Sequence, residues 1–281
     1  MRLPDFVGIG SPRCGTTWIS HLLNQHPEIH FNPYFKELHY FDNNYHRGPG
    51  WYSGFFEGVP TNLKCAEFTP NYMRQRESIS RILKMNPKIK LIVSLREPGI
   101  RAYSHYMQRK RYKSWTDGFD VVVGNNEEQI LDFGAYGEQL EWVYENFSAS
   151  QVHVIIFENM IEHPTDEMAK LFDFLGVAAF DIEQNRAPKN QMIEVRYKWL
   201  TQTIRGIRSS CRRHKQLRNL FYELLPGKKI IQSLRKLNAI TGTQIKEQMN
   251  SETRKYLSEY YAKDRLLLEK LLNRKITEWS T

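Results

Sequence analysis

The sequence of 281 residues predicts an α/β fold: a parallel sheet flanked by helices, with a helical part at the C-terminal end. Three apolar runs have the length of buried strands, and helical signals follow each of them: residues 6–10, 91–95 and 152–157. Strands that alternate with helices are typical of parallel sheets covered on both faces. After about residue 190 the apolar spacing is helical, which predicts the C-terminal helices.

The sequence also marks where helices begin and end. Helical spacing over residues 16–25 follows the glycine turn after the first strand. Pro98 suits the first turn of the helix after the second strand, and Gly176 suits the end of the helix after the third. A last helix is expected from about residue 252 to residue 272, because its leucines and tyrosines recur at helical spacing.

Composition limits the class of protein. Hydrophobic residues make up 41% of the chain and charged residues 25%, as in an ordinary globular domain. No apolar stretch has the length of a bilayer-spanning helix, and the N-terminus lacks the pattern of a signal peptide. The three cysteines are far apart, which suits a reducing compartment and gives no zinc spacing. We therefore expect a cytoplasmic protein, or a domain cut from a longer chain.

Positive charge is concentrated in one segment. Residues 196–236 carry twelve Lys or Arg against a single acid, Glu223, which is +11 in a chain of net charge +9, so the remainder is −2. Two interpretations have equal weight. The segment is either the solvated face of amphipathic helices, or a surface that attracts an anionic acceptor, a nucleotide or a membrane.

The loop after the first strand has the features of a phosphate-binding loop. Gly10 and Gly15 have the Walker spacing, G-x-x-x-x-G, between a strand and a helix, where backbone N–H groups and the helix dipole can hold a phosphate. Thr16 stands where kinases carry a lysine that contacts the β- and γ-phosphates, and Arg13 is the cation of the loop. This P-loop-type sequence therefore predicts a bound 5′-phosphate whose terminal group is something else.

A second phosphate-binding pair follows the strand at residues 91–95. Arg96 ends this strand, and Ser104 lies eight residues later on the following helix. A guanidinium can bind a phosphate through two hydrogen bonds, while a serine hydroxyl on the facing helix donates another. An isolated arginine at a strand end is usually a surface ion-pair partner, but together with the loop it indicates a second phosphate site.

These stretches resemble the sulfotransferases that use 3′-phosphoadenosine 5′-phosphosulfate (PAPS). Their 5′-phosphosulfate loop has the form P-[KR]-x-G-T-T, and their 3′-phosphate motif contains the Arg96 and Ser104 pattern. The resemblance is closest to heparan-sulfate-type enzymes, both N-deacetylase/N-sulfotransferase and 3-O-sulfotransferase-like, and to related bacterial sulfotransferases. Residues 36–42 resemble their K-E-x-H-[FY]-F-D stretch, and short matches run in order over residues 6–176.

The resemblance implies a set of functional residues. Glu37 is the expected general base, with His39 as the rival base and Arg13 as the residue that neutralises charge on the sulfuryl and bridging oxygens. No metal is expected, and adenosine 3′,5′-bisphosphate (PAP) is the expected product. The residues expected to bind the cofactor are Arg13, Cys14, Gly15, Thr16, Thr17, Trp18, Arg96, Ser104, Tyr136, Arg186 and Arg196.

The sequence departs from the family in two places. Phe68 stands where many members have a lysine in E-K-[ST]-P, so any sulfate or substrate contact from that lysine is lost. No cysteine pair lies near the C-terminal cofactor loop of the heparan-type enzymes. If that loop exists here, residues 186–196 are the expected place, held without a disulfide.

The sequence thus predicts a single sulfotransferase domain over residues 1–281. Residues 1–185 form the α/β cofactor-binding core, and residues 186–281 form a basic helical part that covers the acceptor site. The expected acceptor is a hydroxyl or amine of a glycan or small molecule, possibly anionic; its identity and the oligomeric state stay open. Two alternatives are a P-loop kinase of a small molecule, disfavoured by the missing lysine, and a basic nucleic-acid-binding protein, which leaves the phosphate loop unexplained.

Overall fold

A computed structural model describes the fold around a five-stranded parallel sheet. The described residues are 1–111, 115–182, 194–195, 197–218, 220, 230–231, 233–234, 239–240 and 249–279. The sheet has the order β2-β3-β1-β4-β5. Its strands are β1 Phe6–Gly10, β2 Ile29–Phe31, β3 Lys64–Phe68, β4 Lys90–Leu95 and β5 Val152–Ile156. Residues Glu194–Val195 (β6) and Ala239–Ile240 (β7) form a separate antiparallel pair. The predicted α/β class is therefore confirmed.

Eleven helices cover the sheet or extend from it within the described residues. Pro98 starts α4, and Gly176, with a φ of 68°, ends α8, so both predicted boundaries are confirmed. The helices are α1 Thr16–Leu23, α2 Gly48–Ser53, α3 Arg76–Met85, α4 Pro98–Arg111, α5 Phe119–Gly124, α6 Tyr136–Asn146, α7 Phe157–Glu162, α8 Pro164–Leu175, α9 Lys198–Arg213, α10 Lys215–Arg218 and α11 Ser251–Leu271.

Two of the five strands were not predicted from the sequence. The strand β2 has only three residues, and β3 contains Lys64 and Glu67 within an otherwise apolar run. The strand β3 pairs with β1 so that Gly8 lies opposite Phe68. A Cβ atom on Gly8 would lie 2.2 Å from the Phe68 ring, so the glycine makes room for this side chain at the centre of the sheet.

The C-terminal helices divide between two places. The long helix α11 packs against α4 and α6, and the carboxylate of Asp264 on α11 accepts hydrogen bonds from Gly137 N and Glu138 N, each at 2.9 Å. The interaction satisfies two unpaired N–H groups in the first turn of α6. In contrast, α9 lies beside residues 34–47, where Arg208 Nη2 donates to Tyr34 O at 3.2 Å.

The topology brings the phosphate loop and the Arg96 turn together. The strands β1, β3 and β4 are adjacent and parallel, so the segments after their carboxyl ends meet at one edge of the sheet. These segments begin at residues 11, 69 and 96. Parallel sheets of this kind bind ligands at such an edge, and the candidate site lies there.

Candidate active site

The loop between β1 and α1 leaves backbone donors facing a cavity. The helix α1 begins at Thr16, and its first hydrogen bonds run from Trp18 N and Ile19 N to Gly15 O at 2.8 and 3.0 Å. The N–H groups of Thr16 and Thr17 precede these bonds, and Gly15 has no side chain to cap them. Gly15 has a φ of 75°, and a Cβ atom there would lie 2.1 Å from the Phe157 ring. Glycine is therefore required at this position by both conformation and space.

The loop rests on buried side chains beneath it. Ser94 Oγ, at the end of β4, donates to Cys14 O at 2.6 Å. The fully buried Cys14 Sγ lies 3.5 Å from the hydroxyl of Tyr136, which is also fully buried at the start of α6. Burial raises the pKa of Cys14 to about 11, so the thiol stays neutral. In this arrangement Cys14 and Tyr136 support the loop from within the core.

Arg13 connects the loop with the second phosphate-binding motif. Arg13 Nε and Nη2 both donate to Ser104 Oγ, at 3.2 and 3.0 Å. Arg96 Cζ lies 5.3 Å from the centre of the Phe157 ring, which also lines the cavity. The structure therefore brings Arg13, Arg96 and Ser104 together, although Arg13 and Arg96 are 83 positions apart in the chain.

A buried carboxylate holds the segment that carries Glu37. Glu67, at the end of β3, is 1% exposed, and its Oε2 accepts from Leu38 N at 3.1 Å and from Thr69 Oγ1 at 2.7 Å. Its Oε1 accepts from the hydroxyls of Tyr52 and Tyr72 at 2.8 and 3.0 Å. Four hydrogen bonds to a buried carboxylate fix its position and that of the backbone beside Glu37.

Glu37 lies within a chain of alternating charges. Its Oε1 is 3.0 Å from Lys36 Nζ, and its Oε2 is 3.5 Å from His39 Nε2. The other ring nitrogen of His39, Nδ1, is 2.8 Å from Asp42 Oδ2. The sequence predicts that Glu37 and His39 share a face in an extended segment. They are in contact, but His39 has a left-handed φ of 54°, so the segment is not extended there, and a turn follows at residues 40–43.

These contacts set the protonation states of both candidate bases. Burial alone would raise the pKa of Glu37, but the hydrogen bond with His39 and the charge of Lys36 outweigh it and lower the pKa to about 2. Burial alone would lower the pKa of His39, but hydrogen bonds with Asp42 and Glu37 raise it to about 9. At neutral pH, Glu37 is therefore a carboxylate and His39 an imidazolium.

Most of the predicted site residues line one cavity of about 290 Å³. Glu37 and Arg96 lie on its wall together with six residues of the loop and α1, while Phe157 and Gln108 also contact the space. Arg186 and Arg196 lie outside the described residues. The loop and α1 residues on the wall are Pro12, Arg13, Gly15, Thr16, Thr17 and Trp18.

Three residues beside the cavity were not predicted as functional. Lys36 enters the sequence analysis only as part of the K-E-x-H-[FY]-F-D stretch, but its Nζ is 3.2 Å from Thr16 Oγ1. Asp42 orients His39, and Glu67 positions the Glu37 segment, as described above. The K-E-x-H-[FY]-F-D stretch contains Lys36 and Asp42, so the signal was present in the sequence, whereas the role of Glu67 depends on tertiary packing.

The basic helix α9 contributes arginines near Glu37. Arg212 Cζ lies 5.7 Å from the centre of the Phe35 ring, and Arg208 contacts the backbone of the preceding residue. The Nε atom of Arg212 is buried and has no hydrogen-bond partner among the described residues. A buried cationic donor without an acceptor is costly, which indicates a place where an anionic group can bind.

Sequence comparison assigns this arrangement to a family. The pattern of the sulfotransferase domain family matches residues 3–264, which is most of the chain. The chain belongs to the sulfotransferase family. The family assignment confirms the resemblance that the loop and the Arg96 motif indicate.

Curated relatives of this sulfotransferase-family chain include heparan sulfate enzymes. Heparan sulfate glucosamine 3-O-sulfotransferase 3B1 of Mus musculus is 30% identical over 187 residues, 63% of this chain and 47% of the relative. Bifunctional heparan sulfate N-deacetylase/N-sulfotransferase 4 of Mus musculus is 30% identical over 197 residues, 63% of this chain and 22% of the relative. The chain thus spans less than half the length of either relative.

A solved bacterial structure has the same fold. The sulfotransferase from Alicyclobacillus acidocaldarius superposes with a TM-score of 0.72 at 21% identity, and the match covers 99% of both chains. The similarity therefore includes the C-terminal helices as well as the sheet. None of the described helices of the present chain combines the length and hydrophobicity needed to cross a bilayer.

Proposed function

We propose that this protein transfers the sulfuryl group of PAPS to a hydroxyl or amine of a glycan or small-molecule acceptor. The observation that carries the proposal is the single cavity that joins the Gly15 loop, Arg96 and the Glu37 carboxylate. A phosphate loop beside a second cationic site can bind a nucleotide that carries phosphates at two positions. A carboxylate on the same wall can accept the proton of an acceptor group.

The donor would bind through both motifs. The first-turn N–H groups of α1 and the hydroxyls of Thr16 and Thr17 would hold the 5′-phosphate. Arg96 and Ser104 would hold the 3′-phosphate, with Arg13 bridging the two ends through its hydrogen bonds to Ser104. The fit is supported by Gly15, whose left-handed backbone leads the chain into α1 and whose lack of a side chain lets Phe157 pack against the loop.

PAPS supplies the sulfuryl group: its S–O bond to the 5′-phosphate breaks as the S–O bond to the acceptor forms, and the electron pair leaves with PAP. The acceptor's proton would pass to the carboxylate of Glu37. Such transfers depend mainly on positioning and on stabilisation of charge, with general-base help worth about 10²–10⁴ in rate. No step in this scheme requires a metal ion, and metal-independent activity is part of the proposal.

Electrostatics favour Glu37 over His39 as the base. An imidazolium whose Nδ1 and Nε2 face Asp42 and Glu37 has no free nitrogen to accept a proton. Its raised pKa keeps it in this form at neutral pH. We therefore assign His39 the role of orienting Glu37, and Asp42 the role of orienting His39.

The charge around Glu37 supports an anionic acceptor. Arg208 and Arg212 on α9 lie beside residues 34–37, and Arg47 Nη1 donates to Arg213 O at 3.4 Å on the same side. These guanidiniums would attract sulfate, carboxylate or phosphate groups of an acceptor. We therefore propose that α9 covers the acceptor site, whereas α11 is part of the packed core.

One experiment tests the proposed reaction directly. The protein is incubated with PAPS and pools of acceptors, and mass spectrometry follows products that gain one sulfuryl group. We expect PAP to raise the melting temperature, and AMP, which lacks the 3′-phosphate, to raise it less. Arg96→Ala should weaken PAP binding by roughly 1.5–3 kcal/mol, the usual contribution of a charge-assisted hydrogen bond.

The matched control is Arg254→Ala, which removes an exposed arginine on α11. It should leave both nucleotide responses unchanged. Equal stabilisation by AMP and PAP, or equal effects of the two substitutions, would refute the assignment of Arg96 to a 3′-phosphate. Turnover that needs ATP and magnesium in place of PAPS would favour the kinase alternative.

A further inference from the structure

Lys36 comes from a different part of the chain but reaches the phosphate loop. Its Nζ lies 3.2 Å from Thr16 Oγ1 and 3.4 Å from Thr17 Oγ1 at the start of α1. The same atom lies 3.0 Å from Glu37 Oε1 on the wall of the cavity. The ammonium group therefore lies between the loop that would hold the 5′-phosphate and the proposed base.

The backbone of Lys36 is fixed to the sheet. Phe68 N, at the end of β3, donates to Lys36 O at 3.0 Å, and the next hydrogen bond along the segment joins Leu38 N to Glu67. The Phe68 ring is fully buried against Gly8, and Lys36 Nζ lies 5.5 Å from its centre. The flexible side chain of Lys36 thus extends over an aromatic platform toward the loop.

The cation of the loop, Arg13, lies on the side of α4. Thr16 replaces the lysine that would follow Gly15. Arg13 Nε and Nη2 both donate to Ser104 Oγ, which is on α4. Phe68 carries no charge. Among the described residues, Lys36 is the lysine that contacts the hydroxyls of the first turn of α1.

We propose that Lys36, rather than Arg13 as expected from the sequence, is the cation that binds the sulfuryl group and stabilises the charge that develops on the departing 5′-phosphate oxygen. The proposal rests on the proposed function and adds a residue to it. As the S–O bond to the phosphate breaks, negative charge grows on the bridging oxygen, while the acceptor's proton goes to Glu37. A cation aimed at that oxygen lowers the barrier because the interaction is stronger in the transition state than in the ground state.

The test compares two substitutions at Lys36 with a control. Lys36→Met keeps the length of the side chain and removes its charge, and Lys36→Arg keeps the charge. Lys84→Met removes an exposed lysine on α3 and serves as the matched control. For each protein, calorimetry measures the affinities for PAPS and for PAP, and single-turnover kinetics measures sulfuryl transfer.

We expect Lys36→Met to weaken PAPS binding about tenfold more than PAP binding, because only PAPS carries the sulfuryl group. Transfer should slow by about 10²–10³, as when one charge-stabilising donor is removed, and Lys36→Arg should recover at least part of both losses. The control should match the wild type.

Two results would overturn the role of Lys36. One is an equal loss of PAPS and PAP affinity in Lys36→Met, which would make Lys36 an ordinary phosphate ligand. The other is an unchanged ratio of the two affinities together with normal transfer. The ratio of the PAPS and PAP affinities also separates this proposal from the proposed function. A wild type that binds PAPS but transfers no sulfuryl group refutes the reaction. The ratio in Lys36→Met still decides the role of Lys36.

Discussion

The pair of carboxylates around His39 makes a measurable prediction about stability and pH. Glu37 and Asp42 both contact the imidazole, at 3.5 and 2.8 Å, and raise the pKa of His39 from 6.5 to about 9. A raised pKa means that the folded state binds the proton more tightly than the unfolded state. The resulting stability is therefore fully present below pH 6.5 and is lost as the pH rises through about 9.

The size of this effect follows from the pKa. A difference of one in pKa corresponds to about 1.4 kcal/mol, so the rise for His39 corresponds to about 3 kcal/mol at most. The side chain is 17% exposed, and it shares its charge with two carboxylates. We therefore expect about 2 kcal/mol of the free energy of unfolding to disappear between pH 6 and pH 10.

Urea unfolding of the wild type and of His39→Gln checks this value. The difference in unfolding free energy between the two proteins should be largest near pH 6 and should shrink by about 2 kcal/mol at pH 10. His46→Gln, which replaces an exposed histidine seven residues away, is the control and should follow the wild type. A pH-independent difference, or an NMR titration of His39 with a midpoint at or below 6.5, would refute the reasoning.

Three further predictions concern activity. Glu37→Gln keeps the shape of the side chain but removes its basicity, so kcat for sulfuryl transfer should fall by about 10²–10⁴ while the Kd for PAP stays near normal. If Glu37→Gln loses less activity than His39→Asn, Glu37 is not the base. EDTA should leave turnover intact, and a loss that magnesium restores would contradict the metal-free scheme. Replacing Arg208 and Arg212 by Glu should raise the acceptor KM and flatten its dependence on salt, and unchanged kinetics would leave α9 as an ordinary solvated helix.

The sequence predicts the parts of the site that are local in the chain. The glycine spacing, Arg96 with Ser104, and the helix ends at Pro98 and Gly176 each depend on a few neighbouring residues, and local spacing is what periodicity and turn rules detect. The strand β3 was missed because Lys64 and Glu67 interrupt its apolar pattern.

The remaining features depend on residues distant in sequence. Glu67 is tolerated inside the sheet only because Tyr52, Tyr72, Thr69 and Leu38 all donate to it. Burial raises its pKa, while these hydrogen bonds favour the ionised form. Lys36 contacts Thr16, which is 20 positions away in the sequence, so the sequence alone does not reveal this contact. Neither contact can be derived from spacing, because each requires the strand order of the folded sheet.

The contact between Lys36 and Glu37 links donor binding to the strength of the base. A carboxylate with a pKa of about 2 is ionised but accepts a proton weakly, and the charge of Lys36 is one of the causes of that low value. If Lys36 turns toward the sulfuryl group, its charge is partly neutralised by the donor and acts less on Glu37. The pKa of Glu37 would then rise by the part that Lys36 had lowered it, which strengthens the general base, while the hydrogen bond with His39, the larger cause of the low pKa, remains. His39 remains paired with Asp42 and still holds Glu37 in place. The carboxylate would therefore become a stronger base when the sulfuryl group is present, because the ammonium group of Lys36 would then face the donor as well as Glu37.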